Sequence, residues 1–239
     1  MYFANFPKIV YDFDLSSGID YKIVTDITRN VRVRKQILEN ITLYDYYDIG
    51  EGETPEIISE KVYGTPYYHW VIMLVNQRYD YVNDFPLTQR ELDAYVDEKY
   101  GEKKYHVNQY KVDGIIKEGI NILALTSVAI SGGSVGSINV GDVILSSHGY
   151  KARVDSITYG SPSTVATVSL RTGNFFANEL VSIVGEITNA RVVSCTVPSQ
   201  YTTVSNYDYE FNANESKRRI KIVDPALVEQ LVKEFKDII

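Results

Sequence analysis

A single cysteine in 239 residues, Cys195, excludes an intrachain disulfide and any zinc site built on thiolates. Histidine is scarce too: His69, His106 and His148 lie far apart, none in an H-E-x-x-H or H-x-E spacing, so no metal site is expected. Long apolar runs are missing. The longest, Trp70 to Val75, is far too short to cross a bilayer, and the opening residues MYFANFPKIVYDF lack the basic and apolar regions of a signal peptide. The reading is a soluble protein made in the cytoplasm, with no membrane partner. Basic charge is in deficit, 24 Lys and Arg against 31 Asp and Glu, and a net charge of −7 argues against nucleic-acid binding and for a partner with basic patches. Phosphate-loop glycines are absent in either common spacing, and Gly132-Gly133-Ser134-Val135-Gly136 lacks a following lysine and helix, so it reads as a turn. Asp45, Asp48, Glu51 and Glu53 fit no calcium loop and read as a solvated acidic turn. With no nucleophile beside a base, no carboxylate pair in a defined setting and no ligand cluster, the chain reads as a non-enzyme without cofactors.

What the chain has in excess is tyrosine, twenty against one tryptophan and eight phenylalanines. Tyrosine buries a large ring yet keeps a hydrogen-bonding tip, which suits either an aromatic-rich core or a surface that is half core and half contact. At 44% hydrophobic and 23% charged residues, the composition is that of a globular protein with ample material for a core.

The densest local signals lie in Tyr44 to Arg78. Tyr44-Asp45-Tyr46-Tyr47-Asp48-Ile49 alternates as a strand, and Gly50-Glu51-Gly52-Glu53 is a tight turn. Thr54-Pro55 and Thr65-Pro66 each set a hydroxyl cap before a proline at the first helical position, predicting helices from Pro55 to Tyr63 and from Pro66 onward, with Gly64 closing the first. Their apolar stripes are Ile57, Ile58 and Val62, and Trp70, Val71, Leu74 and Val75. His69 reads as a polar contact at the core edge. Strand, turn, helix, helix is the order of a LysM module, which this segment resembles over about residues 42–84.

Three segments follow from composition. Residues 1–118 are tyrosine-rich and charged, with an indecisive stretch at Ile23 to Asn40 and a capping box, Thr88 to Glu91, that starts a helix through Leu92, Tyr95 and Val96 to Tyr100. Residues 119–198 turn Ser, Thr, Gly and Val-rich and nearly uncharged. Six β-branched runs (Ile120 to Ile130, Val140 to Ser146, Lys151 to Thr158, Thr164 to Leu170, Leu180 to Val184, Ala190 to Val197) separated by turns predict a small antiparallel barrel or sandwich without a long helix. Residues 199–239 return to tyrosine and charge: Lys217-Arg218-Arg219-Ile220-Lys221-Ile222 reads as a strand with one basic face, and Asp224-Pro225 caps an amphipathic helix lined by Leu227, Val228, Leu231, Val232 and Phe235. The fold expected is α+β: a LysM-like βαα core with flanking helices and strands, interrupted by an inserted β-domain. The basic clusters Arg29-Arg32-Arg34-Lys35 and Lys217 to Lys221 read as solvated edges or as ion-pair strips facing a protein.

Lys61 to Gly101, KVYGTPYYHWVIMLVNQRYDYVNDFPLTQRELDAYVDEKYG, is similar to the wedge protein fifty-three family of contractile-tail phage baseplates. Thr25 to Asn30 and Glu215 to Ile222 are similar to it as well, so the resemblance covers about residues 1–114 and 200–239. It implies a myovirus-type structural protein of the virion tail baseplate, made in the host cytoplasm. In T-even phages such proteins join neighbouring wedges into a six-fold ring around the hub, in contact with other wedge proteins and the sheath-initiating protein. Interface residues expected on this reading are Tyr46, Tyr67, Tyr68, Tyr79, Lys217, Arg218, Arg219 and Lys221. Because Tyr67 and Tyr68 precede the core-facing Trp70 on one short helix, at least one ring should be exposed. The competing reading is a LysM-type module that binds cell-wall glycan. Against it stand the single copy of the module and the lack of a catalytic partner.

Overall fold

The computed structural model describes residues 6–13, 21–28, 44–127, 138–184 and 190–238. The basic cluster at 29–35 and the glycine turns at 132–136 and 185 lie outside the described residues, as does most of the stretch from 23 to 40. The fold is α+β, and the chain divides into two compact units: residues 1–92 with 212–239, and residues 93–211.

In the first unit, β1 (Lys8–Asp12) and β2 (Tyr21–Thr25) form an antiparallel pair. β3 (Tyr44–Asp48) leads through the glycine turn to α1 (Pro55–Tyr63). The Thr54 hydroxyl accepts the Ile57 N–H, and Gly64, at φ +71°, takes the left-handed conformation that ends the helix. Thr65-Pro66 starts a single 3₁₀ turn, Pro66–Tyr68, and the α-helix proper, α2, runs only over His69–Val75. Here the structure departs from the expected helix from Pro66: the Thr65 hydroxyl accepts from Tyr67 N and the His69 N–H bonds back to the Pro66 carbonyl, the i to i+3 pattern of the tighter helix. The His69 ring nitrogen Nδ1 also lies 2.9 Å from that carbonyl, a structural contact.

β3 pairs antiparallel with β13 (Arg219–Val223), a strand more than 170 positions later in the sequence. Ile220 and Ile222 point from it into a core with Ile49, Ile58, Ile72 and Phe85. A second core joins Trp70, Val71, Leu74 and Val75 of α2 to Phe6, Val223 and the apolar stripe of α5 (Pro225–Ile238), with the Trp70 and Phe235 rings 4.6 Å apart. Asn76 binds α2 to β13, its amide donating to the Ile72 and Lys221 carbonyls at 2.8 and 2.7 Å while its oxygen accepts the Lys221 N–H at 2.8 Å. Ile57 is exposed, against expectation: Ile58 and Val62, four apart, define the buried stripe, and Ile57 lies about 100° away from it.

The boundary between units falls within two helices, α3 (Gln89–Tyr100) and α4 (Asn206–Glu215). Thr88 and Glu91 form the capping box expected of α3: the Glu91 carboxylate accepts the Thr88 N–H at 3.0 Å and the Thr88 hydroxyl accepts the Glu91 N–H at 3.4 Å.

The second unit is built on a closed antiparallel barrel, in strand order β10-β11-β6-β9-β8-β7, from β6 (Gly119–Ser127), β7 (Val143–Ser146), β8 (Lys151–Thr158), β9 (Thr164–Leu170), β10 (Leu180–Ile183) and β11 (Ala190–Thr196). Alternation places Leu123, Leu125, Ile144, Val154, Ala166, Val168, Val181 and Val192 inside. The pairing register shifts between Val154 and Ser156 in β8 and between Val192 and Ser194 in β11. The unit is wider than the barrel, taking in a three-stranded sheet of β12 (Thr202–Ser205), β4 (Val107–Val112) and β5 (Ile115–Lys117). Tyr110 of β4 is fully buried with the barrel core. Its hydroxyl donates to the Gly173 carbonyl at 2.6 Å and accepts from the Asn121 amide at 3.0 Å, and Asn121 in turn accepts the Cys195 thiol.

Candidate protein-binding face

The β3–β13 sheet has two chemically opposite faces. One face carries Tyr47, Ile220 and Ile222 in the core; the other, outer one carries the exposed Tyr46 and Arg219 with the half-buried Lys221, and ends at Tyr44 and Val223, which are buried. Arg219 lies opposite Asp48 in register, and Lys221 opposite Tyr46, yet each cation leans one step along the sheet. The Arg219 guanidinium sits 4.4 Å over the Tyr46 ring and the Lys221 ammonium 4.3 Å over the Tyr44 ring. Diagonal neighbours in a sheet are within reach of long side chains, and each cation over a ring contributes about 0.5–1 kcal/mol at a surface. Tyr44 and Tyr46 themselves meet edge to face at 5.7 Å. The result is a strip of alternating ring and cation whose centre, Tyr46, is 56% exposed.

The remaining expected interface residues are placed differently. Tyr67 stands out from the 3₁₀ turn, 72% exposed, whereas Tyr68 is half-buried, its ring edge to face with Tyr63 at 5.9 Å and packed on the Trp70 core. Lys217 and Arg218 act as internal clamps. Lys217 donates to the Asn83 carbonyl at 2.6 Å, while Arg218 pairs with both Glu215 oxygens at 2.7 and 2.8 Å and donates to the Ile49 carbonyl at 3.2 Å.

Tyr79 is 66% exposed on a loop that holds its own shape. Asp84 accepts the Tyr79 and Asp80 N–H groups, both at 2.8 Å, and Asp80 accepts those of Val82 and Asn83 at 2.9 and 3.1 Å. The donors from Asn83 and Val82 hold the Asp80 carboxyl below its usual pKa. Arg78 underpins the loop, donating to the Lys217 carbonyl at 2.6 Å and lying over the buried Phe85 ring. Tyr81 and Val82 are exposed beside Tyr79, so the loop presents three large apolar side chains on a bonded backbone. The pattern Tyr-Asp-Tyr-Val-Asn-Asp carries the signal, since Asp and Asn bond nearby backbone N–H groups, but Tyr81 and Val82 were not among the expected residues.

The acidic turn is exposed, as expected, but its carboxylates are bonded within the unit. Glu53 receives Lys61, the Gly50 N–H and the Tyr47 hydroxyl, and Glu51 accepts the Gln89 N–H at 3.1 Å. Among the described residues no group of three or more His, Cys, Asp or Glu side chains is placed to hold a metal ion. What the first unit offers its surroundings is aromatic and cationic contact area on bonded frameworks, which suits recognition of another protein. A family model described as base plate wedge protein 53 matches residues 1–114. A comparison with curated proteins gives no match.

Proposed function

We propose that this chain, whose residues 1–114 match the base plate wedge protein 53 family, is a member of it that joins neighbouring wedges into a ring around the hub and connects them to the sheath-initiating layer. It is a structural component of the virion tail baseplate. The observation that supports the joining role is the outer face of the β3–β13 sheet, where Arg219 and Lys221 lie over Tyr46 and Tyr44. A partly exposed ring rimmed by cations has the hydrophobic centre and charged border of an interface hot spot. Its cations favour an acidic neighbour, and a repeated head-to-tail contact closes a ring when its rotation matches the symmetry. Tyr67 and the Tyr79 loop extend the same contact chemistry.

The test is complementation of a phage lacking this gene, with wedges and rings separated by sedimentation. A Tyr46→Ala/Tyr67→Ala protein should fold, as read from Trp70 fluorescence, and accumulate free wedges. Loss of a hot-spot aromatic costs about 2 kcal/mol or more, roughly thirtyfold in affinity. Arg219→Ala should slow ring formation, and raising salt should then have less effect than in the wild type. Normal rings from the folded double mutant would overturn the assignment of the joint to this face.

A further inference from the structure

In the second unit, three segments distant in sequence meet around two histidines. Residues 103–107 lead into β4, residues 146–150 form the turn between β7 and β8, and residues 173–179 lead into β10. The His106 and His148 rings stand edge to face at 5.3 Å, and both lie against Phe176, at 4.7 and 5.3 Å. Nδ1 of His148 is 2.8 Å from the buried Glu179 carboxylate, the only acid in contact with the pair among the described residues. Glu179 is already crowded with donors: the Ser146 and Ser147 hydroxyls at 3.2 and 3.4 Å and the Phe176 N–H at 3.1 Å. His106 turns the other way, its Nδ1 2.5 Å from the Tyr150 hydroxyl.

Each segment is tied to the next by that bond and a few others. Lys103 donates to the His148 carbonyl at 2.8 Å and reaches over the Tyr150 ring at 5.4 Å. The Gly173 N–H bonds the Val107 carbonyl at 2.7 Å, and the Tyr150 ring lies so close over Gly173 that a Cβ there would come within 2.1 Å of it. The Tyr150 hydroxyl is therefore positioned by its own ring contact, and a neutral His106 with its proton on Nε2 can accept it. Charged or titratable groups facing His106 are Lys103 from its own segment, His148 and Tyr150 from the turn, and Glu179 from the third segment. The adjoining N-terminus of α4 contributes the uncharged Asn206, whose N–H bonds the His106 carbonyl at 2.9 Å.

We propose that this cluster is a proton-operated clasp on the barrel: closed while His106 accepts the Tyr150 hydroxyl, and released when His106 takes up a proton. A protonated Nδ1 has no lone pair to offer, so the pair can stay bonded only if the Tyr150 hydroxyl turns to accept, which leaves its own proton without an acceptor in a half-buried site. The new charge then stands beside Lys103 and His148, with Glu179 as the one neighbouring anion. Burial, and after it His148 and Lys103, hold the pKa of His106 below the ordinary imidazole value. An open state that frees the imidazole takes up the proton more readily than the closed one. The clasp's contribution is thus fully present above about pH 6.5 and falls away as pH drops toward the lowered value. Its consequence is local: the turn at 146–150 separates from residues 103–107 while the barrel strands stay paired.

Amide hydrogen exchange on the full-length protein, corrected for the intrinsic effect of pH, tests this between about pH 8 and about pH 5. Segments 103–107 and 146–150 should exchange about tenfold faster at the acid end, while β6 and β9 remain protected. His106→Gln keeps an acceptor but takes up no proton, and its exchange should be independent of pH. Tyr150→Phe keeps the ring over Gly173 and loses the hydroxyl, so it should exchange at about pH 8 as fast as the wild type at about pH 5, which keeps the test decisive if the histidine variant does not fold. A flat wild-type profile, or a wild-type response in either variant, would overturn the clasp.

Discussion

Replacing Tyr110 with phenylalanine removes one oxygen from the centre of the second unit and tests two claims together. The hydroxyl is buried and fully used, donating to the Gly173 carbonyl at 2.6 Å and accepting the Asn121 amide at 3.0 Å. Tyr110→Phe leaves that carbonyl and that amide without a partner, where water reaches neither Tyr110 nor Asn121. An unsatisfied buried polar group costs about 1–3 kcal/mol, and some relaxation of Asn121 toward Cys195 is available, so a total of about 2–3 kcal/mol is expected. For a unit of about 120 residues this lowers its melting midpoint by roughly 10 °C. The chain has one tryptophan, Trp70, and it lies in the core of the first unit. Its fluorescence therefore follows that unit alone, while calorimetry follows both. If the two units melt independently, Tyr110→Phe shifts the calorimetric transition of the barrel and leaves the Trp70 transition within about 1 °C of its wild-type position. A change below about 0.5 kcal/mol would refute the hydrogen-bond argument. Movement of both transitions in step would refute independent folding and make the barrel part of one cooperative body.

Two perturbations of the first unit complete the set. Asn76→Ala removes the two bonds joining α2 to β13, to the Lys221 carbonyl and N–H, along with the bond to the Ile72 carbonyl within α2, which should cost about 2–3 kcal/mol in the Trp70 melt and leave the barrel transition in place; a loss under about 0.5 kcal/mol would show that water replaces the amide freely. Burial opposes charge on Glu53, but Lys61, the Gly50 N–H and the Tyr47 hydroxyl outweigh it and hold the carboxyl below the usual range. Its stabilisation should be complete above the ordinary value near about pH 4.3 and disappear as pH falls through the lowered one, so Glu53→Gln should weaken the Trp70 melt at neutral pH and flatten its acid dependence; an unchanged acid profile would assign that dependence elsewhere.

Signals that act over a few residues were legible in the sequence. A hydroxyl before proline and a glycine after the last apolar turn delimit α1, and alternation delimits the barrel strands, because caps and strand faces are local physical requirements. The alternation in Arg219 to Ile222 likewise separates a buried aliphatic face from a cationic one. Pairing at long range was not legible. Nothing in Tyr44 to Asp48 names Arg219 to Val223 as its partner, so the stacking of Arg219 on Tyr46 is visible only in the fold. The same limit hid the meeting of His106, His148 and Glu179. Helix α4 escaped for another reason: its buried residues are Asn206, Glu210 and Asn214, spaced four apart, and its exposed ones include Tyr209 and Phe211. Each buried polar group is satisfied, by Lys103 and Asn108, by Lys99 and Tyr100, and by Leu87, so an apolar stripe was the wrong thing to look for. Lys217 and Arg218 precede the strand and turn inward as clamps, whereas Arg219 and Lys221 lie within it.

The pairing of β3 with β13 also sets a timetable. A ribosome delivers Tyr44 to Asp48 long before Arg219 to Val223, and every residue of the second unit emerges between them. Domains usually complete themselves in the order of translation, but here the first-made half of a sheet waits for its last-made half. Joining strands so far apart carries an entropic cost that grows only logarithmically with the separation, and a barrel already folded shortens the effective span. The cation-covered tyrosine strip comes into existence only when β13 arrives, so a chain whose synthesis stops short of it lacks the surface proposed above as the joint.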